Sequence, residues 1–336
     1  MTETILAAGR PNIVITGGAG FIGSNLAAEL VKKNNIIVID NFITGNERNI
    51  DLLLQLSNFE FIKHDITDPI DLVNYPELKK FKIGIQGIQA VYHLACPTSP
   101  RDHEKLAIDI LGATSYGTKN ALDLALQYKA KFVHLSSQHV YGHWNSPKPI
   151  KETDIGALDP IGTNSAYDEG KRFSETLVSY YSRQFKLDAK IVRLFTTYGP
   201  KMAINDGRSV PDFIYSALNN DEIIIYGDEN TENTFCYIAD VVDALIKIEK
   251  TDLNIPINIG HYEKTKLSQV ATMIIELTGS NSKITYQQPD WQLFSYNIPD
   301  IALAKQKLGW FPMMSLDQGL KATVEFMRTN LRLYQI

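Results

Sequence analysis

The chain has 336 residues, of which 44% are hydrophobic and 21% are charged, and its formal net charge at pH 7 is −5. This composition is ordinary for a soluble globular protein, and the lack of a long basic run argues against nucleic acid as a partner. No apolar run approaches the ~20 residues needed to span a bilayer, which argues against a membrane protein.

Cysteine and histidine usage leads to two further expectations. Cys96 and Cys236 lie far apart, with neither metal spacing nor a disulfide framework, and the seven histidines are scattered. The short polar N-terminus is unlike a signal peptide. We therefore expect a cytoplasmic protein without a metal site.

Short apolar runs alternate with helical patterns over the first two-thirds of the chain. Buried strands are predicted at residues 12–16, 36–40, 59–63, 90–94, 131–135 and 190–194, and the helix after the first strand at 21–33. Apolar strands separated by helices predict a parallel sheet with helices on both faces. The predicted fold class is therefore α/β, a Rossmann-type doubly wound parallel sheet with a smaller, interleaved C-terminal α/β lobe.

The pattern changes after residue 194. Short runs at 223–226 and 234–237 predict the smaller lobe, a helix is predicted at 239–250, and residues 257–259 are expected to return to the large sheet. We expect a large domain of residues 1–195 with about 237–260 added, and a substrate lobe of 196–236 and 261–336. The cleft between them is the expected substrate site.

A glycine-rich turn lies between the first strand and its helix. Gly17 permits a tight turn, Gly20 lets the backbone approach a pyrophosphate at the helix N-terminus, and Gly23 allows close packing of helix on strand. Asp40 ends the second strand, 17 residues beyond Gly23. A carboxylate there suits ribose hydroxyls and repels a 2′-phosphate, so the pattern predicts NAD rather than NADP.

Asp65 and Ile66 follow the third strand at the same edge of the predicted sheet. That position is suited to contact the adenine of a dinucleotide. An aspartate after a strand is also typical of a turn or capping residue, and the sequence leaves both interpretations open.

Tyr167 and Lys171 stand four residues apart, one turn from each other on one helix face. A phenol is a poor base near neutrality because its ordinary pKa is about 10, but a nearby ammonium lowers that pKa. The pair can then take a proton from a sugar or alcohol hydroxyl. An exposed helical pair is the alternative. The glycine turn and the strand end at Ser136 and Ser137 favour catalysis.

Together these residues resemble the extended short-chain dehydrogenase/reductase family, the NAD-dependent epimerases and dehydratases of nucleotide sugars. The resemblance covers nearly the whole chain and is closest to the UDP-glucuronate decarboxylase branch. The segments that carry it are His93-Leu-Ala-Cys-Pro-Thr-Ser-Pro100, Ala166-Tyr-Asp-Glu-Gly-Lys-Arg172, Tyr198-Gly-Pro-Lys-Met202, Asn205-Asp-Gly-Arg208 and Pro299-Asp-Ile301.

The resemblance implies oxidation at C4 of a sugar. Tyr167 would take the hydroxyl proton while NAD accepts a hydride, Lys171 would lower the pKa of Tyr167 and hold the nicotinamide ribose, and Ser137 would hydrogen-bond the reacting oxygen. The 4-keto sugar could then lose a C6 carboxylate as carbon dioxide, lose water between C5 and C6, or be reduced from its other face. Return of the hydride would make NAD a retained catalyst.

The resemblance also implies a set of contact residues. The predicted cofactor contacts are Gly17, Gly20, Phe21, Ile22, Gly23, Asp40, Asn41, Phe42, Thr44, Asp65, Ile66, Leu94, Ala95, Tyr167 and Lys171. The predicted substrate contacts are Pro97, Thr196, Lys201, Arg208 and Asn233.

One departure from the family pattern concerns catalysis. The glutamate that relatives carry two residues after the Ser/Thr position is His139 here. An imidazole titrates near neutrality and could act as the acid or base. A structural histidine at a strand end is the alternative.

Other departures concern substrate binding. Two arginines that hold the diphosphate or nearby sugar in relatives align with Asn233 and Asn297, and an asparagine aligns with Thr196. Each lost charge-assisted contact is worth ~1.5–3 kcal/mol. Either other cations replace them, or the substrate carries less negative charge. Candidate replacements are Arg101, Lys201, Arg208 and Lys266, and Trp291, Phe294 and Tyr296 could stack on a base or sugar or pack in the core.

The leading interpretation is a nucleotide-sugar decarboxylase that works through a 4-keto intermediate. A 4-epimerase or dehydratase is the alternative among such enzymes, and a ketoreductase or a non-catalytic nucleotide-binding protein would be the other classes. By the same resemblance we expect a homodimer that pairs through the helices near 106–127 and 166–185.

Overall fold

The computed structural model describes residues 9–144, 146–204, 207–288 and 298–331. The strands are β1 Asn12–Thr16, β2 Asn35–Asp40, β3 Phe59–Lys63, β4 Ala90–His93, β5 Lys131–Ser137, β6 Ala189–Leu194, β7 Thr197–Tyr198, β8 Ile223–Tyr226, β9 Glu232–Thr234, β10 Cys236–Tyr237, β11 Ile257–Ile259, β12 Lys264–Lys266 and β13 Ile284–Gln287. The helices are α1 Phe21–Leu30, α2 Ile83–Gln86, α3 Ala107–Gly112, α4 Thr118–Tyr128, α5 Ser165–Phe185, α6 Ser209–Asn219, α7 Ile238–Glu249, α8 Leu267–Thr278, α9 Ala302–Leu308 and α10 Leu316–Asn330.

The central sheet has seven parallel strands in the order β11-β6-β5-β4-β1-β2-β3. Its inner strands are apolar runs buried on both faces, as in β1, where all five residues are buried. Helices cover both faces, with α1 and α7 packing on one side and α4 and α5 on the other. The predicted α/β doubly wound sheet is confirmed.

The strand order reverses between β1 and β4, which lie side by side. At such a switch point the loops after the two strands diverge and leave a crevice at the carboxyl edge of the sheet. The glycine turn after β1 and the loop after β4 therefore face the same opening.

The smaller lobe is built from three two-stranded sheets, β7 with β10, β8 with β13 and β9 with β12, covered by α6, α8 and α10. The run predicted at 234–237 is two separate strands, because β9 pairs antiparallel with β12 and β10 pairs parallel with β7. Strand β11 returns to the large sheet beside β6, as expected. The pairing of β11 with β6 supports the predicted domain bounds, which remain a proposal.

Helix α1 ends at Leu30, three residues before its predicted end. The amide of Asn34 donates to the Leu30 carbonyl, and the amide of Asn58 donates to the Val31 carbonyl. These side chains satisfy the last carbonyls of the helix, so the chain can turn there. None of the helices within the described ranges is long and apolar enough to cross a membrane.

Candidate active site

A cavity of about 1000 Å³ opens at the carboxyl edge of the sheet and is lined by both the sheet and the smaller lobe. Every predicted site residue lines it except Phe42. The Phe42 ring instead stacks on Phe61, with 4.8 Å between the ring centroids. The fold thus brings the predicted catalytic, cofactor and substrate residues together in one cavity. Among them, only Phe42 does not line it.

The glycine turn has the shape that a dinucleotide pyrophosphate requires. Gly17 has φ +70°, and a Cβ there would lie 2.7 Å from the Ala95 nitrogen. A Cβ on Gly23 would lie 2.2 Å from the Gly17 oxygen, whereas one on Gly20 would meet only that oxygen, at 3.2 Å. The turn is therefore closed against the protein and open toward the cavity, with the unpaired first-turn amides of α1 behind it. The residues fit NAD.

Asp40 connects this turn to the end of β2. Its carboxylate accepts hydrogen bonds from the backbone nitrogens of Ala19, at 3.0 Å, and Phe42, at 2.9 Å. Burial raises the pKa of Asp40, and these backbone hydrogen bonds oppose the rise. A carboxylate has about four acceptor positions, so these bonds leave acceptor capacity for a ribose hydroxyl. Asp40 therefore also shapes the turn, a role that sequence reasoning did not assign.

Asp65 forms the turn that the sequence left as an alternative. Its carboxylate accepts from the Thr67 nitrogen at 2.8 Å, the Thr67 hydroxyl at 2.6 Å and the Asn41 amide at 2.9 Å. The Thr67 hydroxyl hydrogen bond is the main cause that lowers the pKa of Asp65. Asp65 also lines the cavity, so the turn is compatible with the adenine contact, which stays a prediction.

Tyr167, Lys171 and Ser137 converge at the opposite end of the cavity. Tyr167 is buried on the first turn of α5 and is hydrogen-bonded to the Ser137 hydroxyl. The Lys171 ammonium lies 5.8 Å from the centroid of the tyrosine ring and donates to the Leu135 carbonyl at 2.9 Å. The three side chains have the arrangement predicted for proton transfer from a hydroxyl.

The electrostatics of Tyr167 differ from the prediction that Lys171 lowers its pKa. Burial is the largest influence and raises the pKa of Tyr167 well above its ordinary value; the hydrogen bond with Ser137 opposes that rise. The Lys171 ammonium is directed to a carbonyl rather than to the phenol oxygen. Desolvation by burial therefore sets the direction of the change in the Tyr167 pKa.

Two histidines enclose the Tyr167 ring. His103 stacks on it with centroids 4.8 Å apart and an angle of 16°, and His139 meets it edge-on at 5.1 Å and 87°. His103 Nδ1 lies 3.2 Å from Asn164 Oδ1, and burial lowers the pKa of His103 to about 4. Sequence reasoning missed His103 because no motif connects residues so far apart in the chain.

His139 is held by a carboxylate that sequence reasoning also missed. Its Nδ1 lies 2.9 Å from Asp168 Oδ1, and its backbone nitrogen donates to the Ser137 hydroxyl at 3.3 Å. The available signal was the position of Asp168 directly after Tyr167. The imidazole lies in the cavity beside the predicted base, where an acid or base could reach a substrate.

Asn233 and Thr196, where the family resemblance predicts an arginine and an asparagine, form a neutral pair. The Thr196 hydroxyl donates to Asn233 Oδ1 at 3.0 Å, and the same oxygen accepts from the Thr234 nitrogen at 2.8 Å. Both Thr196 and Asn233 line the cavity. This wall therefore presents an amide and a hydroxyl to a ligand.

Two of the four candidate replacement cations line the cavity. Arg208 does so while donating to the Thr98 carbonyl at 2.7 Å, and Lys201 does so beside Asn49. Arg101 lies outside the lining and pairs with Asp212 at 3.2 Å; Lys266, also outside it, donates to the Asn230 side chain at 3.2 Å.

Other predicted positions cannot be placed. Asn205, Asp206, Trp291, Phe294, Tyr296 and Asn297 lie outside the described residues. Within the described ranges no group of three or more histidine, cysteine or acidic side chains is arranged to hold a metal ion.

Lys201 lies on the cofactor side of the cavity. Its ammonium donates to the Asn49 carbonyl at 2.8 Å, and the Asn49 amide in turn donates to the Ala19 carbonyl of the glycine turn at 2.9 Å. Burial lowers the pKa of Lys201 to about 8. An ammonium next to the turn can neutralise an anionic ligand, although the sequence assigned Lys201 to substrate.

We predict that NAD affinity falls as the pH rises through about 8, because Lys201 loses its proton there. Lys201→Met should bind about tenfold more weakly or worse at neutral pH and show a flat profile, since a charge-assisted contact is worth ~1.5–3 kcal/mol. Lys201→Arg is the control, because a guanidinium stays charged across this range. Fluorescence titration with NAD below and above pH 8 measures the affinity of each variant. If the NAD affinity of Lys201→Met fell with pH as steeply as that of the wild type, Lys201 would not be the group responsible.

Comparison with known proteins adds a family and named relatives. The model of the NAD dependent epimerase/dehydratase family matches residues 13–260. UDP-glucuronic acid decarboxylase 1 of Xenopus tropicalis is 35% identical over 323 residues, covering 96% of this chain and 73% of that protein. UDP-glucuronic acid decarboxylase 3 of Arabidopsis thaliana is 36% identical over 327 residues, covering 96% and 91%.

Solved structures show the same architecture. UDP-glucose 4-epimerase of Thermotoga maritima, solved with UDP-glucose, superposes with a TM-score of 0.83 at 28% identity and covers 95% of this chain and 99% of its own. UDP-glucuronic acid 4-epimerase of Bacillus cereus, solved with UDP-glucuronic acid and NAD, gives a TM-score of 0.81 with the same identity and coverage. Both similarities include the sheet and the smaller lobe.

Proposed function

Since this chain belongs to the NAD-dependent epimerase/dehydratase family, we propose that it is an NAD-dependent decarboxylase of UDP-glucuronate. The observation that carries the proposal is the presence of two acid/base groups in one cavity, the Tyr167 phenol and the His139 imidazole, 5.1 Å apart between ring centroids. A C4 epimerisation needs only the first. Loss of carbon dioxide also leaves a carbanion-like C5 that must receive a proton, and His139 can supply it.

NAD is the cofactor of this family, and when bound it accepts a hydride from C4 and returns it. The turn of Gly17, Gly20 and Gly23 would hold its pyrophosphate and Asp40 its adenosine ribose. Lys171, fixed by the Leu135 carbonyl, would hold the nicotinamide ribose. The proton transfers of the reaction are carried out by side chains of this protein.

Tyr167 starts the reaction by taking the proton of the C4 hydroxyl, with Ser137 hydrogen-bonded to the reacting oxygen. The resulting C4 ketone makes the C6 carboxylate a β-keto acid, which loses carbon dioxide readily. His139 protonates C5, and Tyr167 returns its proton to the C4 oxygen as the ketone is reduced. Pro97, Thr196, Arg208 and Asn233 are the proposed substrate contacts, with Lys201 at the boundary with the cofactor.

We predict that the NAD-loaded protein converts UDP-glucuronate to UDP-xylose and carbon dioxide without net NAD consumption. Product NMR together with carbon dioxide release measures both products. The control is UDP-glucose, which has no carboxylate to lose. Full NAD occupancy with no turnover of UDP-glucuronate would refute the named substrate.

A 4-epimerase is the second candidate, and the specific feature in its favour is His139, at the position where the resemblance to the decarboxylases predicts a glutamate. Its product from UDP-glucuronate would be UDP-galacturonate, with the carboxylate retained. The same NMR experiment separates the two functions. A nucleotide-binding protein without catalysis has no need of Ser137, Tyr167 and Lys171 together, which supports an enzyme.

We also propose a homodimer formed through α3, α4 and α5, and the support for it is that α3 exposes the apolar side chain of Leu111 and α5 exposes those of Phe173, Tyr180 and Phe185. Light scattering that finds a monomer at micromolar concentration would contradict it. A cytoplasmic location is proposed because Cys96 and Cys236 are free thiols. Cell fractionation that places the protein elsewhere would contradict this location.

A further inference from the structure

We propose that Asp168 is a positioning residue that fixes His139 as the proton donor to C5, which makes the His139–Asp168 pair a second acid/base centre separate from Tyr167. The inference rests on the proposed function and deepens it. It names the group that controls the carbon proton and predicts its stereochemistry.

The first support is the environment of the Asp168 carboxylate. It is 6% exposed, lies in the first turn of α5, and has its Oδ1 2.9 Å from His139 Nδ1. Among the described residues, His139 is its ion-pair partner. Lys171, one turn further along, gives its ammonium to the Leu135 carbonyl instead. A buried carboxylate needs hydrogen-bond donors, and the His139 ring supplies one at this distance.

The second support is the tautomer that this contact dictates. A carboxylate oxygen accepts hydrogen bonds, so Nδ1 of His139 carries a proton in both the neutral and the charged ring. Proton exchange with a ligand is therefore confined to Nε2. The hydrogen bond of the His139 backbone nitrogen to Ser137 Oγ, at 3.3 Å, further ties this ring to the same strand end that holds Tyr167.

The third support is that Tyr167 and His139 are placed to act on different atoms of the sugar. Tyr167 and Ser137 are hydrogen-bonded to each other and serve the C4 oxygen. The His139 ring contacts the Tyr167 ring edge-on, at 87°. This contact involves the two rings, whereas the phenol hydroxyl interacts with Ser137. Two neighbouring carbons of one sugar ring can then be served by two different side chains.

Atoms and charges balance in this step. The C5–C6 bond breaks, its electron pair enters the C4–C5 enolate, and C6 leaves as carbon dioxide. The enolate then takes the proton of His139 Nε2–H at C5 and becomes the ketone, which leaves His139 neutral and still bonded to Asp168. Solvent returns one proton to Nε2 in each turnover, which matches the single proton that the overall decarboxylation consumes.

The first test needs no substrate. Nitrogen NMR of the ¹⁵N-histidine-labelled, NAD-loaded protein should show His139 with a protonated Nδ1, assigned by comparison with His139→Gln. A neutral ring protonated at Nε2 would overturn the proposal, whatever the substrate is.

The second test follows UDP-glucuronate in D₂O. Wild-type protein should place one deuterium on one face of C5. Asp168→Asn should keep the first-turnover rate of carbon dioxide release within about threefold, slow pentose formation by about 10²-fold or more, and scramble the deuterium between both faces. Glu169→Gln, on the same helix turn but outside the cavity lining, is the matched control and should behave as wild type.

The outcomes separate the two proposals. If wild-type protein retains the carboxylate and inverts C4, the decarboxylase function fails, and the C5 role of Asp168 fails with it even if the tautomer is as expected. If wild-type protein decarboxylates and Asp168→Asn gives the same rate and stereochemistry, only the positioning role fails. NAD binding by each variant, measured by fluorescence, shows that the fold is retained.

Discussion

Replacing Tyr167 with phenylalanine is expected to lower turnover by about 10²–10⁴-fold while NAD binding persists. The substitution removes only the hydroxyl that takes the C4 proton. The ring that stacks on His103 and packs among Ile110 and Ala166 is kept, so the fold should not change. Ser137 loses a hydrogen-bond partner at the cavity wall, where water or substrate can replace it.

Single-turnover absorbance of the reduced cofactor is the appropriate measurement, because it isolates the oxidation step from carbon dioxide release. Tyr286→Phe is the matched control, since Tyr286 is 45% exposed in β13 and lies outside the cavity lining. If the Tyr167→Phe protein oxidised C4 within about threefold of the wild-type rate, a residue other than Tyr167 would be the general base. His103, stacked on the same ring, would then be the first residue to test.

The strands of the large sheet were predictable because both faces of each are covered. In β1 the three consecutive apolar residues Ile13, Val14 and Ile15 point to alternate faces of the sheet, and a parallel strand covered on both faces needs that. The ends of elements depend on contacts that sequence does not display. Helix α1 stops early because Asn34 and Asn58 reach its last carbonyls, and β9 separates from β10 because each has a different partner strand.

The site was predictable where function depends on the local chain. The glycine turn and the spacing of Tyr167 and Lys171 are local features, and the structure places them as expected in one cavity. The contact of His103 with Tyr167 and the contact of Asp168 with His139 both join residues that are distant in the chain. Neither contact can therefore be predicted from a local motif. Burial is also a tertiary effect that the sequence does not display, and desolvation of the phenol is the largest cause acting on the pKa of Tyr167, which it raises.

Gly17→Ala is expected to cost stability and NAD binding together. The residue has φ +70°, where an alanine pays roughly 1–2 kcal/mol for left-handed backbone. Its Cβ would in addition lie 2.7 Å from the Ala95 nitrogen and 2.8 Å from the Leu94 carbonyl carbon, which are backbone atoms and cannot rotate away. Overpacking of that kind costs typically about 1–3 kcal/mol, so the total loss is about 2–5 kcal/mol.

Gly279→Ala separates the two causes. Gly279 has the same φ of +70°, but a Cβ added to it would meet no atom of the described residues within 4 Å, so its substitution should cost only the backbone part, about 1–2 kcal/mol. Urea unfolding gives both free energies, and NAD titration should show at least about a tenfold loss for Gly17→Ala and none for Gly279→Ala, because only the first displaces the turn beneath the pyrophosphate. Equal losses of stability in the two variants, with NAD affinity intact in both, would mean that the turn tolerates the side chain. The close approach of β1 to the loop after β4 would then not be what shapes the cofactor site.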